Sequence, residues 1–406
     1  MPPPPPALLR PRSARAFTLV ELLVAMAILG ILLVAVVVSI QGVQSAWRLT
    51  RSAVRENLEG RRALETVVTN LSRATLHPRW VPNLDPVTNP TGIPTALLPE
   101  SDLHYVSGPA RTLVPGVRSS SGHAVFFQGP FGFPGSSRTL QNNSDTPYYQ
   151  TLPHTLSAWG YYVEFGQDQT ELPNFLTSTR QGRPAPPRKF RFRLMEYRQP
   201  AHELSLLVQP PDYPRPLQAL QNSNNTLYEW FQAPIANSQP GGSAFNRRVS
   251  IVAENILALV VVPYDPHLVT LANGGSNSTL PYQLAPNYHF DSRRHQWEQG
   301  SALGAATRHQ LPPAVEIAIV ALSEDVWDNL TEAEAIRQGE SLVSLMSGLF
   351  LTAANFSNDL ETLDRELNDR RLDHQVMTQV VLLNGQAGRL FPPVTGSPTP
   401  STASAP

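Results

Sequence analysis

The chain contains no cysteine in its 406 residues, which excludes disulfides, thiolate metal sites and cysteine nucleophiles. Lysine is almost as scarce, because Lys189 is the only one, and it lies in a strand-like run of alternating charged and apolar residues. The formal net charge is −1, and acidic and basic residues are interspersed along the chain. A chain without a basic patch is not expected to bind nucleic acid.

Catalytic signatures are also missing: the sequence has no nucleophile elbow, phosphate-binding loop, zincin helix or calcium loop. The best metal-ligand candidates are the side chains of one short polar run, which are His289, Asp291, His295 and Glu298. That run has no helical register, so we predict a solvated loop there rather than a metal site. The sequence therefore predicts neither an enzyme nor a cofactor, a metal or a small-molecule substrate.

Only one apolar run is long enough to cross a membrane, and it extends from Phe17 to Ile40. A span requires about 20 residues, and the preceding Arg10, Arg12 and Arg15 favour a cytoplasmic N-terminus. An ordinary secretory signal has an apolar core of only about 7–15 residues. A secretory signal and a plain signal anchor remain the alternatives. We predict a single pass through the inner membrane, in contact with its lipid, with the rest of the chain extracytoplasmic.

One carboxylate, Glu21, lies inside the apolar run. At the centre of a membrane helix an acidic residue costs about 2.5–3.5 kcal/mol, so such residues usually have a partner and a function. If the chain is cut before Phe17, the new α-amine of a neighbouring copy can pair with Glu21. That pairing would set the stagger between packed helices.

The helical pattern continues beyond the membrane run, with apolar residues at three- and four-residue spacing and arginines between them. It stops at His77-Pro78, because proline disfavours helix for the residue before it. We predict one helix from Phe17 to about Leu76. The apolar positions of its second half, which we expect to form a seam on a sheet, are Val54, Leu58, Leu64, Val68 and Leu71.

Apolar residues alternate with polar ones in several later segments, which indicates half-buried antiparallel strands. A break at Glu254-Asn255 divides one long apolar run into two strands, and AVEIAIVAL is apolar on nearly both faces except at Glu316, which predicts a central strand. The predicted strands are His123–Gln128, Ala158–Phe165, Arg188–Arg198, Val249–Asp265 with its break, Ala314–Leu322 and Gln375–Leu383.

Two late helices complete the predicted α+β head. One begins near Thr331, which forms a capping-box pattern with Glu334, and the other begins near Asn358. Residues 78–122 are predicted to be an irregular connection, and residues 209–247 a surface insertion. The aromatic residues of the strand AWGYYVEF are expected to pack in the core rather than to bind carbohydrate, and Glu254 is expected to mark a bulge and pair with an arginine rather than to be a buried functional acid.

The N-terminus resembles the class III signal of type IV pilins and type II secretion pseudopilins, through Phe17, Thr18, Leu19, Glu21 and Gly30. The resemblance implies that a prepilin peptidase cuts between Ala16 and Phe17 and methylates Phe17. It also implies that Glu21 neutralises the terminus of a neighbouring subunit. Ala16 stands where glycine is usual, and the absence of a proline later in the membrane helix favours a minor or pseudopilin-type subunit.

Later segments resemble the J-type minor pseudopilin of type II secretion, in which a leucine-proline pair also leads into a core strand. A closer resemblance is to the Verru_Chthon cassette protein C family of Verrucomicrobia. The segments that carry it are FTLVELL, RRALETVVTNLSRATL, FRLMEYRQPAHELSL, AENILALVVVP, LAPNYHFDSR and LPPAVEIAIVAL. It implies an assembly subunit that acts with other pilin-like proteins and has no known catalytic activity.

These observations predict an α+β protein in which a long N-terminal helix packs on an antiparallel head. The leading hypothesis is a pilin-like subunit of a type II secretion or type IV pilus-like assembly. The alternatives are a membrane-anchored binding or adhesion protein and an anchored hydrolase. The predicted segments are a leader (1–16), a membrane helix (17–40), an amphipathic continuation (41–77), a head (78–391) and a disordered Pro/Ser/Thr tail (392–406).

Overall fold

In a computed structural model, the described residues are 19–82, 93, 97–117, 119–132, 155–167, 188–200, 204, 227–238, 248–266, 280–293, 307–327 and 330–383. Side chains are described throughout these ranges except at positions 25, 41–57, 98 and 280. The chain divides into two compact units, Met1–Val54 and Arg55–Pro406. The first unit contains the apolar part of helix α1 (Leu19–Leu71), and the second contains the head.

Helix α1 is continuous in secondary structure and ends at Leu71, five residues before the predicted end. The chain leaves the helix because its next polar groups find partners in the head. The Arg73 side chain donates to the carbonyl of Pro130 over 2.7 Å, and the Thr75 N–H donates to the carbonyl of Gln128 over 2.9 Å. His77 then takes a left-handed backbone conformation with φ of 41°.

The head is built on antiparallel strands, as predicted. The described residues form three sheets, with strand orders β1-β2, β11-β10-β8 and β7-β6-β5-β4-β3-β9. The strands are β1 (Arg79–Pro82), β2 (Leu97–Glu100), β3 (Val106–Pro109), β4 (Ser120–Pro130), β5 (Leu156–Gln167), β6 (Phe190–Gln199), β7 (Val249–Glu254), β8 (Ile256–Tyr264), β9 (Phe290–Asp291), β10 (Ala314–Leu322) and β11 (His374–Leu382).

The predicted strand break is confirmed, and it carries the chain from the six-stranded sheet to the three-stranded one. Asn255 lies between β7 and β8 with φ of 59°, a left-handed conformation that asparagine tolerates better than most residues. Its side-chain oxygen accepts a hydrogen bond from Arg191 Nη1 over 3.0 Å, and its carbonyl accepts one from the Leu322 N–H over 2.7 Å. The neighbouring Glu254 is exposed, so it is not a buried functional acid. Arg193 pairs with Glu164 over 3.1 Å instead of with Glu254.

The prediction that β5 and β6 are half-buried is wrong, since buried residues follow one another without alternation from Ser157 to Val163 and from Arg191 to Tyr197. The alternation of charged and apolar residues in β6 predicted an exposed face, but Arg191 and Arg193 of that face are buried, at 6% and 3% exposure. The aromatic residues of β5 pack in the core, as expected: Trp159, Tyr161 and Tyr162 are all buried.

The connection predicted to be irregular contains regular structure, and that prediction is also wrong. Residues 78–122 include β1, β2, β3 and the short helix α2 (Ala110–Leu113). Each of these four elements has only four residues, so contacts with neighbouring elements rather than its own periodicity decide its conformation. Within the segment predicted as an insertion, helix α3 (Glu229–Asn237) buries Trp230, Phe231 and Ile235 in the core.

The two late helices are confirmed. Helix α4 (Glu332–Gly348) has a complete capping box, in which the Glu334 N–H donates to Thr331 Oγ1 and the Thr331 N–H donates to the Glu334 side chain. Helix α5 (Phe356–Asp369) buries Leu363 and Leu367. The central position of β10 between β8 and β11 is confirmed as well.

The inward face of the head half of α1 combines small residues with larger apolar ones. Gly60, Ala63, Val67 and Leu71 are buried, whereas Leu58, predicted to lie in the seam, is 48% exposed. A Cβ atom at Gly60 would meet the end of the Met377 side chain of β11, so this part of the helix lies close to that strand. Small residues let the helix approach the strands closely. Of the other predicted seam positions, Leu64 is buried, Val68 is half-buried and the side chain of Val54 lies outside the described residues.

The two larger sheets meet at a buried histidine of β4. His123 is 2% exposed, and its Nδ1 accepts a hydrogen bond from the Val261 N–H of β8 over 3.1 Å. Nδ1 therefore carries a lone pair in the folded state. Gly122 beside it has φ of 65° and lies against the Leu259 carbonyl, so no larger residue fits. Burial lowers the pKa of His123 to about 4.

We expect Gly339→Ala to destabilise the head, because the new Cβ would collide with the ring of Phe165. That ring is held by Phe192 and Trp327, with centroid distances of 4.8 and 6.0 Å, so it cannot easily move. Overpacking of this kind costs about 1–3 kcal/mol of unfolding free energy. Denaturant unfolding of the full chain in detergent, followed by tryptophan fluorescence, measures the loss.

Gly348→Ala is the matched control on the same helix, because a Cβ there meets nothing within 4 Å. Alanine favours helix over glycine by about 1 kcal/mol, so this variant should be neutral or slightly more stable. Equal destabilisation by both substitutions would contradict the packing of α4 on Phe165.

We expect the head to lose stability as the pH falls from about 6.5 to 4, partly through His123. Between its folded pKa of about 4 and the ordinary histidine pKa of 6.5, the unfolded chain binds a proton that the folded chain excludes. The unfolding free energy therefore falls with decreasing pH in this window, by up to about 3 kcal/mol for this residue. Unfolding titrations at several pH values in this range measure the slope.

The comparison variant is His123→Gln, whose side-chain oxygen can still accept from the Val261 N–H but which does not titrate. Its unfolding free energy should vary less with pH than that of the unsubstituted protein. His77→Gln, at an exposed position, should leave the pH dependence unchanged. A slope that is the same with and without His123 would refute the assignment.

Candidate assembly site

The predicted site residues divide between described and undescribed parts of the chain. Glu21 lies in the first turn of α1 and is exposed, among apolar side chains that are exposed as well. Ala16 and Phe17, the residues of the predicted cleavage, lie outside the described residues. Arg10, Arg12 and Arg15 also lie outside them.

The first part of α1 is apolar around its whole circumference. Leu19–Ile40 has a mean hydropathy of 3.1, and no part of it is buried within the protein. A helix that is apolar on all sides requires lipid or other helices around it. A Cβ at Gly30 would meet nothing within 4 Å, so this position offers a flat surface that another helix backbone can approach closely.

A buried polar cluster joins the last turn of α1 to the six-stranded sheet. Asn70 Nδ2 donates to the Tyr161 hydroxyl over 2.6 Å, and this hydroxyl donates to Glu196 Oε1 over 2.8 Å. The same carboxylate oxygen accepts from Trp159 Nε1 over 2.7 Å, while Arg198 Nε lies 3.3 Å from Glu196 Oε2. Burial and then the Glu196 carboxylate raise the pKa of Tyr161, so the hydroxyl keeps its proton as a donor.

This seam cluster positions the helix through side chains of β5 and β6. Trp159 and Tyr161 lie on one face of β5, and they stand opposite Arg198 and Glu196 of β6 in the sheet register. Because the register fixes the position of Tyr161 in the sheet, it also fixes where Asn70 can form its hydrogen bond. A buried network in which every member is satisfied specifies one arrangement of its parts.

A second buried network lies where β9 and helix α3 meet the segment before β3. His104 Nε2 is 2.7 Å from Asp291 Oδ1, and both side chains are fully buried. Trp230 Nε1 donates to His104 Nδ1 over 3.1 Å, which leaves the proton of the neutral imidazole on Nε2, pointing at Asp291. The Tyr228 hydroxyl and the Arg293 N–H each donate to the carboxylate over 2.8 Å.

The two pKa shifts of this pair agree with a neutral histidine and an ionised aspartate. Burial lowers the pKa of His104 and outweighs the attraction of Asp291. Burial alone would raise the pKa of Asp291, but His104 and the hydrogen bonds from Arg293 and Tyr228 lower it well below its usual range. The network holds α3 on the sheet, and the His104 and Asp291 side chains at its centre are fully buried.

Asp291 belongs to the run that we predicted to be a solvated loop, and that prediction is wrong for this residue. Asp291 is 3% exposed and forms strand β9 with Phe290, while His289 is half-buried. His295 and Glu298 lie outside the described residues. Among the described residues, no group of three or more histidine, aspartate or glutamate side chains is placed to hold a metal ion. The buried pair itself left no signal in the sequence, because His104 and Asp291 are far apart along the chain.

Comparison with known proteins identifies one segment. Residues 11–37 match the family described as Prokaryotic N-terminal methylation motif. No curated protein and no solved structure matches the chain. The chain therefore carries a prepilin-type signal, which together with the apolar helix indicates a membrane-anchored, type IV pilin-like subunit.

We expect Asn70→Ala to loosen the end of α1 from the sheet, because it removes the hydrogen bond to Tyr161. The loss of one buried hydrogen bond costs about 1–2 kcal/mol of unfolding free energy. Combining Asn70→Ala with Tyr161→Phe in a double-mutant cycle should give a coupling energy of about 0.5–3 kcal/mol. Denaturant unfolding of the full chain in detergent provides all four free energies.

Thr69→Ala on the same helical turn is the control, because Thr69 is exposed. It should leave the unfolding free energy within about 0.5 kcal/mol of the unsubstituted protein. A coupling energy of zero between Asn70 and Tyr161 would mean that the contact does not hold the helix.

Proposed function

We propose that the protein is a minor pseudopilin-type structural subunit of a type II secretion or type IV pilus-like assembly. The observation that carries the proposal is the combination of a prepilin-type signal at residues 11–37 with a single acidic residue, Glu21, in the first turn of an apolar helix. The helix ends in a seam that attaches it to a large α+β head. The function is polymerisation by helix packing rather than catalysis.

In this proposal the basic leader stays in the cytoplasm and a prepilin peptidase cuts between Ala16 and Phe17. The new α-amine on Phe17 is methylated and carries a positive charge. Glu21 of a neighbouring subunit neutralises that charge, since two opposite charges attract far more strongly in lipid than in water. The pairing fixes the stagger of the apolar helices and places the heads in the extracytoplasmic space.

The seam cluster supports this role because it attaches the last turn of α1 to the head. Asn70 lies in that turn, and Arg73 and Thr75 follow it; all three form hydrogen bonds to β4 or β5.

A membrane-anchored binding protein is the second candidate, and one observation favours it. A pocket of about 560 Å³ lies between the turn after α2 and helix α3. Its volume is within the range of about 300–1,000 Å³ that ligand sites occupy. The lining residues are Val114, Pro115, Gly116, Glu229, Gln232, Ala233, Ile235 and Ala236. Glu229 supplies the only charge among them, so a ligand would be small, largely apolar and neutral or cationic.

We expect Glu21→Ala to abolish co-assembly with other pilin-like subunits while leaving membrane insertion intact. Removing the acidic residue makes the span more apolar, so insertion should not suffer. The measurements are membrane fractionation, co-purification of two differently tagged copies in mild detergent, and the mass of the mature N-terminus. A mature chain that begins at methylated Phe17 supports the proposal.

Glu361→Ala, at an exposed acidic residue of α5, is the control and should assemble normally. Unchanged co-assembly of the Glu21→Ala protein, or a mature chain that retains Met1, would refute the pilin-like mechanism. In that case, saturable binding of a small ligand to the α2–α3 pocket would establish the second candidate.

A further inference from the structure

One face of the three-stranded sheet is left open beside the edge strand β11. Val380 and Leu382 are 46% and 64% exposed, and both stand on the same face of the sheet as Glu316 and Tyr264. The register shows this, since Val380 is paired with Glu316, and Leu382 and Tyr264 are both paired with Ala314. We call the four residues Tyr264, Glu316, Val380 and Leu382 the β11 face.

The β11 face is directed away from α1. Side chains alternate between the two faces of a strand, and Met377 of β11 lies against Gly60 of α1. Val380 and Leu382 are therefore on the opposite face from Met377. Helix α1 packs on one side of the three-stranded sheet, and the β11 face belongs to the other side.

Glu316 is the acidic residue of the β11 face, and it has no cationic partner within the described part of the chain. Glu316 is half-buried, and among the described residues no hydrogen bond or ion pair to its carboxylate is found. Burial raises the pKa of Glu316, and after burial the nearby carboxylate raises the pKa of Tyr264 and Tyr282. A half-buried carboxylate among apolar side chains is best stabilised by a positive charge that arrives with apolar surface around it.

The chain carries a surface of that chemistry on the outer side of α1. Leu58, Arg61, Arg62 and Glu65 follow one another at three- and four-residue spacing, so they form one stripe. Leu58 is 48% exposed and both arginines are exposed. Arg61 is engaged with Glu65 over 3.0 Å, whereas for the Arg62 side chain no ion pair is found within the described part of the chain. We call these four residues the outer stripe.

We propose that the outer stripe of one copy packs on the β11 face of the next copy, with Arg62 paired to Glu316 and Leu58 covering Val380 and Leu382. Charge complementarity and matching apolar surface select this occupant. Because the two surfaces lie on opposite sides of the head, the contact is head-to-tail and leaves one of each surface free at the ends. Contacts of this kind extend into open assemblies unless they close into a ring. This contact between heads adds to the proposed pilin-like assembly and rests on that proposed function.

Introduced cysteines test the contact cleanly, because the chain has none of its own. An ion pair between long side chains leaves the two Cα atoms farther apart than the roughly 4.4–6.8 Å of a disulfide, so a bismaleimide with a spacer of about 10 Å is the suitable cross-linker. Full-length Arg62→Cys and Glu316→Cys proteins carry different tags and are mixed by co-expression. Cross-linking is carried out in membranes and read by mass and tag.

The expected result is a cross-linked dimer in the mixed sample, about tenfold more abundant than in either variant alone, because a head-to-tail contact joins unlike surfaces. Glu361→Cys mixed with Arg62→Cys is the matched control and should give only background, since Glu361 lies outside the β11 face. Dimers that form equally within each single variant would overturn the proposal. Cross-linking of the Glu316→Cys protein to another pilin-like protein, instead of to the Arg62→Cys protein, would overturn it too.

Charge reversal gives an independent test if a cysteine variant fails to fold. Arg62→Glu and Glu316→Arg should each reduce co-purification of tagged copies about tenfold, because like charges would then meet. The double variant Arg62→Glu with Glu316→Arg should restore it. Failure of the double variant to restore binding while both single variants remain folded would overturn the contact.

The outcomes separate this contact from the proposed function. If Glu21→Ala abolishes assembly but residues 62 and 316 never cross-link, the pilin-like function stands and the head contact is wrong. If residues 62 and 316 cross-link although the N-terminus is unprocessed and Glu21 is dispensable, the head contact stands and the pilin-like function is wrong.

Discussion

The seam between α1 and the six-stranded sheet is the constraint on which the rest of the head depends. The Tyr161 hydroxyl accepts from Asn70 and donates to Glu196, so one buried group connects the helix to two strands. Loss of the helix contact would remove one donor from the buried Tyr161 hydroxyl, which costs free energy. Ten residues earlier on the same helix, Gly60 lies against Met377 of β11, so the head half of α1 contacts both of the larger sheets.

The second constraint is that the apolar faces of the sheets must be covered by other elements of the head. The central strands β5 and β6 are buried on both faces over most of their length, and the chain breaks one long strand at Asn255 and returns as β8 of a separate sheet. Arg191 and Arg193 of β6 are buried, and each has a polar partner: Arg191 the side chain of Asn255, and Arg193 the carboxylate of Glu164. The break therefore shapes the core and also satisfies a buried charge.

The elements with strong local patterns could be predicted from the sequence, namely the membrane run, the capping box at Thr331 and the strand pair around Asn255. Short elements such as β3 could not, because a four-residue strand is defined by its partner. The inward face of α1 was partly misjudged: Leu64 and Leu71 are buried as predicted, but periodicity placed Leu58 inward although it is 48% exposed, and it gave no weight to the small buried residues Gly60 and Ala63. The His104–Asp291 pair was invisible because only the fold brings its members together.

Two positions depart from the local pattern in ways that folding alone does not explain. Leu58 is a large apolar residue on the outer side of α1, and Glu316 is the one acidic residue of β10, the central strand of the three-stranded sheet. Each lowers the stability of an isolated head, since one exposes apolar surface and the other half-buries a charge. Departures of this kind are expected at functional sites. The two residues lie on opposite sides of the sheet, and the arginine beside Leu58 has the charge that Glu316 lacks. A contact between two copies therefore explains both positions at once.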